Sequence, residues 1–485
     1  MNQKNIEIIF EKKNQKNVEL KKKFIEWSSV STSHGYPNIF RTKHTSVKIL
    51  WAICLVVSIS LCLFLLIRGI KAFLEFDVVT SIKTVEERPA LFPSITICDI
   101  KKFKSDASAD LFKDIYLTKY GINLTEENFY SKNVSSLYNN VIDLATAIAT
   151  NPGYGDTNRK KLGFKLDEIL GGCSFNNKEC NITDFKYFWD YNYGNCYTFN
   201  IGFNSSGDAV PLKYSYKPGY FDGLSIELFF EEKEYMFSNV FNQGATLFIH
   251  NNTHKPIFSN GIEILTGNSV NIGIKKTLTH KYPDPYSDCK DLSSVNSYFY
   301  DILTQSNKSY RQSDCFELLL QRNVIKNCSC YDLQFPQLYN ATPCLNLTQI
   351  GCASDQYFSF WDENSNTFTS ECPLECDSVG YDFTYSISDL DIERFYVENY
   401  EEKAKENVDL ASLKKRVVDI YVYFTQLKYT EITEMPTTTV IDLLASVGGT
   451  IGLFVGISVL SFVEIIEFIM ESIFIYLEKR KDDEV

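Results

Sequence analysis

The sequence predicts a membrane protein in which two transmembrane α-helices flank a large, disulfide-rich α+β extracellular domain. Three observations lead to this fold class: uncharged runs at residues 49–67 and 443–463, and a region between them that is rich in cysteine and glycosylation sequons. Length alone would allow about three soluble domains. The two runs therefore decide the class of protein before any other feature does.

The first run, ILWAICLVVSISLCLFLLI, contains no charged residue and no proline. As a helix it would extend about 28 Å, close to the hydrocarbon thickness of a bilayer. The second run is richer in Gly and Ser, so a buried core helix is a stronger alternative there. A signal peptide is disfavoured for the first run, because it starts near residue 49 and no small-residue cleavage pattern follows it.

The charge distribution predicts the orientation. Residues 1–48 carry ten Lys or Arg against four Glu, and Lys479, Arg480 and Lys481 follow the second run. The positive-inside bias places both termini in the cytoplasm, although Arg68 and Lys71 follow the first run. Of the net charge of −13, the middle region contributes about −14. An acidic exterior disfavours nucleic-acid binding and suits an encounter with cations.

Cysteine usage supports this topology. Cys54 and Cys62 lie in the first run, and the other twelve of the 14 Cys lie between the runs. An even number in one compartment predicts disulfides. Zinc is disfavoured, because Cys328-Ser329-Cys330 has the wrong spacing and no His is near it. Nine N-x-Ser/Thr sequons in the same region predict glycosylation: Asn123, Asn133, Asn181, Asn204, Asn251, Asn307, Asn327, Asn340 and Asn346.

Five segments follow from these patterns. They are a cytoplasmic segment, a first transmembrane helix, the extracellular domain, a second transmembrane helix and a cytoplasmic tail, at residues 1–45, 46–70, 71–438, 439–471 and 472–485. Alternating apolar residues predict strands at Leu224–Phe230, Ala245–His250 and Val417–Leu427. Helical or loop patterns cover Asp110–Tyr120, Thr146–Ile169 and Cys315–Lys326. We expect strands from both ends of the extracellular domain to pair in one central sheet.

No catalytic constellation stands out. The sequence has no G-x-S-x-G, H-E-x-x-H or P-loop motif and no paired Cys and His. The five His are His34, His44, His250, His254 and His280. An enzyme is therefore disfavoured, and no cofactor or bound metal is expected.

The second run carries the pattern of a pore. Gly448, Gly449, Gly452 and Gly456 let helices approach closely or let backbone line a channel. The tract Gly456-Ile457-Ser458 could interrupt the helix and present carbonyl oxygens that replace ion hydration.

Acidic residues flank this run. Asp442 precedes it, and Glu464, Glu467 and Glu471 follow at i, i+3 and i+7, on one face of a helix. Repeated by symmetry, each would become an acidic ring that favours cations. The alternatives are that Glu464, Glu467 and Glu471 are solvated at the interface, and that Asp442 only stabilises a helix N-terminus.

Eight segments, in order, resemble the superfamily of degenerins, epithelial sodium channels and acid-sensing ion channels. They span nearly the full length: His34-Gly35, Phe92–Cys98, Gly194–Asn200, Gly223–Leu228, Pro283–Cys289, Asn327–Cys330, Cys372–Cys376 and Gly448–Phe468. Each match is weak alone, and together they are specific. The resemblance implies a subunit of a trimeric, amiloride-sensitive, sodium-permeable channel in the plasma membrane.

The resemblance also implies roles for particular residues. Gly456, Ile457 and Ser458 would form the selectivity filter, and Ala445, Ser446 and Gly449 the gate. His34 and Gly35 match a cytoplasmic gating motif, while Phe76 and Tyr286 match an aromatic pair that couples the extracellular domain to the helices. Asp442, Glu464 and Glu467 would supply pore charge.

A disulfide pairing follows from the same resemblance. It is Cys98–Cys196, Cys173–Cys180, Cys289–Cys376, Cys315–Cys372, Cys328–Cys352 and Cys330–Cys344. The acid-sensing branch has one further bridge, and this chain carries Leu319 and Ser370 at its two positions.

Departures from the acid-sensing branch bear on the stimulus. Lys233 stands beside Glu234 where that branch has paired acids, and Val78 stands where it has a His. The chain looks more like the peptide-gated sodium channels of cnidarians and molluscs. We therefore expect a short amidated neuropeptide as ligand, with Glu231, Glu232 and Glu234 as candidate contacts. An Asp442 ring would admit calcium as well as sodium.

Several alternatives stay open at this stage. Within the family, gating by acid or by force competes with gating by peptide, and the trimer is either homomeric or heteromeric. From another class, a non-conducting two-span receptor or adhesion protein would also fit the topology. Asp442, the Gly456–Ser458 tract and the Glu face favour the channel, since a membrane anchor needs none of them together.

Overall fold

The computed structural model describes residues 22–32, 35–230, 243–256, 260–291, 298–304, 309–363, 371–400 and 409–482. It divides into two compact units. The helical unit comprises Met1–Val79 and Met435–Val485, and the sheet unit comprises Thr80–Glu434.

The helical unit contains one long apolar helix, Thr45–Leu74, which we call the long helix. Within the described part of the chain, it is the one helix that combines the length and apolar composition needed to cross a bilayer. Its 30 residues extend about 45 Å. Only Cys62 is buried along it, so its apolar side chains face outward. The predicted run 49–67 lies inside this helix.

Two shorter helices precede the long helix. Residues 22–30 form the N-terminal helix, and Tyr36–Arg41 follows it. The sequence analysis assigned no structure to this segment. Pro37 lies in the first turn of the second short helix, where its missing N–H costs no hydrogen bond.

The second predicted span is not one continuous helix. It comprises a first half-helix, Val440–Phe454, and a second half-helix, Val459–Asp482. The residues between them, Val455–Ser458, are called the helix break. Gly456 has φ of 74°, a left-handed conformation that glycine adopts without a steric penalty. The break falls on the predicted tract, and the second half-helix continues past the expected end at residue 471.

The sheet unit contains a seven-stranded sheet among its described residues. Strand β16 is parallel to β12 and antiparallel to β9, and β1 also pairs with it. Since β1 and β16 come from opposite ends of the domain, the predicted pairing of distant strands is confirmed. The strands are β1 (Val78–Glu86), β4 (Leu170–Phe175), β5 (Lys178–Glu179), β9 (Leu224–Phe229), β12 (Asn268–His280), β15 (Asp377–Asp389) and β16 (Val417–Pro436).

A second, five-stranded sheet was not predicted. Its order is β11-β10-β3-β7-β6. Every residue of β3 and β7 is buried, so these strands lack the alternation that marks a half-exposed strand. The strands are β3 (Ser94–Asp99), β6 (Phe185–Asp190), β7 (Gly194–Phe199), β10 (Gly244–His250) and β11 (Ile262–Leu265). Two short pairs, β2 (Ala90–Leu91) with β8 (Tyr214–Ser215) and β13 (Cys289–Lys290) with β14 (Leu374–Glu375), complete the strands.

The helices of the sheet unit agree with the predicted regions. The expected helix at 110–120 is part of Asp106–Tyr120, and the one at 315–326 is part of Gln312–Cys328. Further α-helices in the described part of the unit are Glu126–Phe129, Lys132–Ser135, Tyr138–Thr150, Asp156–Arg159, Leu166–Ile169, Tyr298–Thr304, Leu347–Glu363, Ile392–Tyr400 and Leu410–Lys414. The predicted strand Val417–Leu427 lies within β16.

The main core contains buried side chains from both sheets. Phe92 is fully buried, and its ring packs edge-on against Phe175 at 5.0 Å and Phe424 at 5.9 Å between centroids. Two smaller cores involve the helices: one around Asp106–Tyr120 and Tyr138–Thr150, the other around Gln312–Cys328 and Leu347–Glu363.

Six disulfides join the sheet unit, and their pairing is the one that the resemblance implies. Four of them lie in residues 289–376, where short helices alternate with loops. Leu319 is buried in the core of this region, so an apolar residue occupies one position of the missing bridge. Ser370 lies outside the described residues. Cys54 and Cys62 are free thiols.

Candidate ion pathway and sensory groups

Asp442 caps the first half-helix. Its backbone N–H donates to Oγ1 of Thr439 at 3.2 Å, and the backbone N–H of Thr439 donates back to Oδ2 of Asp442 at 3.0 Å. This reciprocal capping box satisfies two donors at the helix N-terminus. Asp442 therefore has the helix-stabilising role that the sequence allowed as an alternative, and its carboxylate is exposed in the single chain.

The three predicted gate residues lie on the first half-helix. Ala445, Ser446 and Gly449 are all exposed in the single chain. A Cβ added at Gly449 would meet no atom within 4 Å. This face of the half-helix is therefore open, and its role at a gate stays a prediction.

The helix break is held by the long helix. Oγ of Ser58 donates to the carbonyl of Phe454 at 2.6 Å, and the N–H of Gly456 donates to the carbonyls of Ile451 and Gly452, each at 3.1 Å. The Ser58 contact satisfies one of the carbonyls that lack a partner at a helix C-terminus. Ser58 was not predicted as a site residue. Its signal in the sequence was a hydroxyl in the apolar run 49–67, shared there with Ser60.

The second half-helix restarts through a serine pair. The backbone N–H of Ser458 donates to Oγ of Ser461 at 3.1 Å. Gly456, Ile457 and Ser458 thus form a non-helical turn between two helix ends. Such a turn leaves backbone groups available to a ligand or an ion, and no observation tests the filter role itself.

The acidic face of the second half-helix contacts the N-terminal segment of the same chain. The backbone N–H of Thr32 donates to Oε2 of Glu464 at 3.2 Å, and Thr32 shares a hydrogen bond with Ser461 at 2.9 Å. Lys23 forms an ion pair with Glu471 at 3.2 Å. The side chain of Glu471 stays 45% exposed in this ion pair, so the solvated alternative remains open for it.

Aromatic packing reinforces this contact. The ring of Trp27 lies 5.2 Å from that of Phe468, between centroids. Glu467 lines the groove between the same two helices. The opposite charges of Lys21–Lys23 and of the Glu face are the sequence signal that these two segments lie together.

Gly35 is the described half of the predicted cytoplasmic motif, since His34 lies outside the described residues. Gly35 has φ of 77° and precedes the helix Tyr36–Arg41. A Cβ there would lie 3.4 Å from the ring of Trp51 on the long helix. A cavity of about 390 Å³ adjoins this contact and extends to Phe454 and Ile457 at the helix break.

The two predicted coupling residues lie in different units. Phe76 has φ of 51°, and its ring lies 6.1 Å from that of Phe73. Tyr286 packs edge-on against Tyr282 at 5.0 Å. Each residue is aromatic and has a ring partner within its own unit, and the coupling between them stays a prediction.

The histidines of the sheet unit differ in environment. Burial lowers the pKa of His250 to about 4 and that of His254 to about 4. His280 is more exposed: Nδ1 lies 2.6 Å from Oδ1 of Asp377, and Nε2 lies 3.9 Å from Oε1 of Glu431. His280 therefore links β12 to Asp377 on β15 and lies close to Glu431 on β16. Glu231, Glu232, Lys233 and Glu234 lie outside the described residues.

Of the nine predicted sequons, eight have their Asn in the described part of the chain, and none of these eight is buried. Asn307 is the exception, outside that part. Asn204 and Asn251 are half-buried, and the other six are exposed. Within the described residues, no group of three or more His, Cys, Asp or Glu is arranged to hold a metal ion.

Comparison with known proteins shows the family. The profile of the amiloride-sensitive sodium channel family matches residues 27–468, which include both half-helices up to Phe468 and the whole sheet unit. The chain therefore belongs to the amiloride-sensitive sodium channel family, a class of ion channels with a disulfide-rich extracellular domain.

Individual relatives differ in their reported stimulus. The chain is 24% identical to the FMRFamide-activated amiloride-sensitive sodium channel of Cornu aspersum, over 92% of this chain and 82% of that one. It is 26% identical to acid-sensing ion channel 1C of Danio rerio, over 91% and 82%. It is 28% identical to the gamma subunit of the epithelial sodium channel of Xenopus laevis, over 66% and 48%.

Proposed function

We propose that this chain is a subunit of a trimeric, amiloride-sensitive, sodium-permeable channel of the plasma membrane, opened by an extracellular peptide. The observation that carries the pore assignment is the helix break at Gly456–Ser458 in a chain of this family. A break held open by a left-handed glycine leaves carbonyl groups free to replace ion hydration. Sodium is the permeant ion that the family name implies.

The topology of the proposal has two spans. The long helix is the first, facing lipid, and the two half-helices together form the second, lining the pore, with both termini cytoplasmic. The outward apolar side chains of the long helix support a lipid-facing role. The open face at Ala445, Ser446 and Gly449 supports contact with further copies or related subunits, and relatives of this chain are named as subunits.

A peptide stimulus is favoured over acid. The Cornu aspersum relative is activated by FMRFamide and aligns over nearly the whole chain. The low pKa values of His250 and His254 remove two of the residues that would sense mild acid. Lys233 and Val78 depart from the acid-sensing pattern. A closer likeness to the cnidarian peptide-gated channels is part of this proposal.

The test is voltage clamp of cells that express this chain, alone and with related subunits. FMRFamide, pH 5 solution and amiloride would be applied in turn. A peptide-evoked sodium current that amiloride blocks is the expected result. A current evoked by acid and not by peptide would contradict the stimulus.

If the expressed chain gives no current under any stimulus, a variant at the predicted gate tests whether it can form a pore. Replacing Ala445 with Phe should hold the pore open, because a bulky side chain on the open face prevents closure. Ala52→Phe, at an exposed position of the long helix, is the matched control and should leave the pore closed. Surface expression without constitutive current in Ala445→Phe would contradict the gate assignment.

Asp442 extends the proposal to calcium. Three copies would place three carboxylates near the pore mouth, where hard cations bind oxygen. Asp442→Asn keeps an oxygen that can accept the Thr439 N–H while it removes the charge. We expect the ratio of calcium to sodium permeability to fall in this variant. An unchanged ratio would leave Asp442 with the capping role alone.

Acid gating is the second candidate, and His280 is the observation that favours it. His280 on β12 contacts Asp377 on β15 and lies 3.9 Å from Glu431 on β16, so its side chain connects three strands of the seven-stranded sheet. His280→Asn would then abolish an acid-evoked current and leave a peptide-evoked current intact.

A further inference from the structure

A second cavity lies inside the sheet unit, remote from the residues assigned so far. It has a volume of about 230 Å³ and lies where the helix Tyr138–Thr150 approaches the helix Leu347–Glu363. Pockets that bind drug-sized ligands have volumes of about 300–1,000 Å³. This cavity is therefore suited to one long side chain of a larger ligand. The lining residues that matter here are Asp143, Tyr191, Asp332, Gln334, Tyr357 and Phe358.

The cavity wall carries a carboxylate without a cationic partner. Oδ1 of Asp332 accepts the backbone N–H of Gln334 at 2.9 Å. Among the described residues, no Lys, Arg or His forms an ion pair with Asp332. Burial raises the pKa of this carboxyl, since the charged form loses hydration that the single N–H only partly replaces.

A second carboxylate on the wall is partly balanced. Burial raises the pKa of Asp143, and the positive charge of the nearby Lys102 lowers it in part. Nζ of Lys102 also donates to Oγ1 of Thr146 at 3.1 Å and lies 5.3 Å from the centre of the Tyr191 ring. Lys102 is shared with Asp190, so the cavity as a whole keeps an excess of negative charge.

Aromatic rings complete the wall. Tyr191 is half-buried, whereas Tyr357 and Phe358 are exposed at the rim and meet edge to face at 5.7 Å. A flat organic cation binds well where a carboxylate and ring faces converge, and arginine fits this better than lysine because its guanidinium is planar and weakly hydrated.

We propose that this cavity holds the arginine side chain of the activating peptide, with the guanidinium paired to Asp332 and flanked by the rim rings of Tyr357 and Phe358. The inference rests on the proposed function, because it takes the ligand to be a peptide. The helix Leu347–Glu363 packs against the core of Tyr138–Thr150 through Leu347 and Ile350, and Ile350 also lines the cavity. A side chain bound in the cavity would bridge these two helices, which gives peptide binding a way to change how they pack.

The test is a cycle of one channel variant and one peptide variant. The probes are FMRFamide and its analogue with citrulline in place of arginine, which keeps the shape and removes the charge. Asp332→Asn makes the matching change in the channel. Asp355→Asn is the control, because Asp355 is an exposed acid on the same wall helix and does not line the cavity.

We expect the citrulline analogue to need at least tenfold more peptide for half-activation of the wild-type channel, as befits a lost charge-assisted hydrogen bond. For Asp332→Asn, the FMRFamide concentration for half-activation should rise by a similar factor. In this variant, the citrulline analogue should need less than threefold more peptide than FMRFamide does. Asp355→Asn should behave as the wild type. If the citrulline cost is the same in Asp332→Asn and wild type, the cavity assignment is overturned.

Two further outcomes separate the cavity from the proposed function. FMRFamide that neither opens the wild-type channel nor binds it, while Ala445→Phe conducts, overturns peptide gating and this inference with it. If Asp332→Asn does not reach the cell surface, Phe358→Ala replaces it. In Phe358→Ala, the potency of FMRFamide should fall by a larger factor than the potency of the citrulline analogue. An equal fall for both peptides would again overturn the cavity assignment.

Discussion

The sheet unit and the helical unit bury their residues in opposite ways. The sheet unit has a core of fully buried aromatic and aliphatic side chains from two sheets and six disulfides. In the described part of the helical unit, the buried residues are Ser28, Pro37, Cys62 and Ser461, while Ile49, Leu50, Val56 and many other apolar residues are exposed.

This difference teaches where each unit obtains its stability. The sheet unit gains free energy by removing apolar surface from water within one chain. The helical unit leaves much of its apolar surface exposed in the single chain, which is the pattern of a surface that lipid or another protein covers. We therefore expect substitutions in the sheet unit to change folding, and substitutions in the helical unit to change conduction without loss of the fold.

The largest expected effect is in the core of the sheet unit. Phe92→Ala should lower the free energy of unfolding by about 3–5 kcal/mol, because it leaves a cavity against Phe175 and Phe424. The measurement is thermal unfolding of the purified channel, with surface expression beside it. Phe221→Ala, at an exposed ring, is the control and should cost little. Equal losses in the two variants would contradict the assigned core.

The pH dependence of the sheet unit comes next. The pKa of His250 is about 4 when folded, so this residue stays neutral at pH 5 while its unfolded form, with a pKa near 6.5, gains a proton. Stability is therefore lost as pH falls from about 6.5 toward 4, by about 2 kcal/mol at pH 5. Asp99, whose burial raises its pKa to about 6, acts in the opposite direction over the same range.

The test compares unfolding at pH 7 and pH 5 in the wild type and in His250→Asn. The variant should lose less stability on acidification, since Asn has no proton to gain. His44→Asn serves as the control, because His44 is exposed and lies outside the sheet unit. An identical loss in wild type and His250→Asn would show that His250 is not the group responsible.

In the helical unit, the helix break should respond through conduction. Gly456→Val places a β-branched residue at φ of 74°, which costs about 1–2 kcal/mol and favours a continuous helix. We expect the preference for sodium over potassium to fall, with surface expression retained. The reversal potential in mixed solutions measures this preference. Gly448→Ala, in open space within the first half-helix, is the control, and equal selectivity in both variants would contradict the filter assignment.

The smallest expected effect is at Ser58. Ser58→Ala removes the hydrogen bond to the carbonyl of Phe454, worth about 0.5–1.5 kcal/mol. The helix break should become less rigid. The measurement is the peptide concentration for half-activation, which should shift by up to about tenfold. Ser60→Ala, exposed on the same helix, should leave it unchanged. If Ser60→Ala shifts activation as much as Ser58→Ala, the contact does not hold the break.

Much of this molecule could be predicted from local sequence. Hydropathy located the long helix, and the positive φ of Gly456 explains why the predicted tract breaks the second span. Apolar alternation located β9 and β10, while β3 and β7 were missed because they are buried on both faces. The disulfide pairing was accessible only through resemblance, since twelve cysteines allow many pairings and spacing does not choose among them.

The contacts between distant segments depend on the tertiary structure. The sequence by itself determined which segments are apolar, where glycine permits a break and which acids share a helix face. Only the fold decided that Thr32 meets Glu464, that Ser58 holds Phe454, and that Asp143 and Asp332 line one cavity. The physical reason is that periodicity reports which face of an element is buried, whereas the partner of that face is chosen by packing across the whole chain.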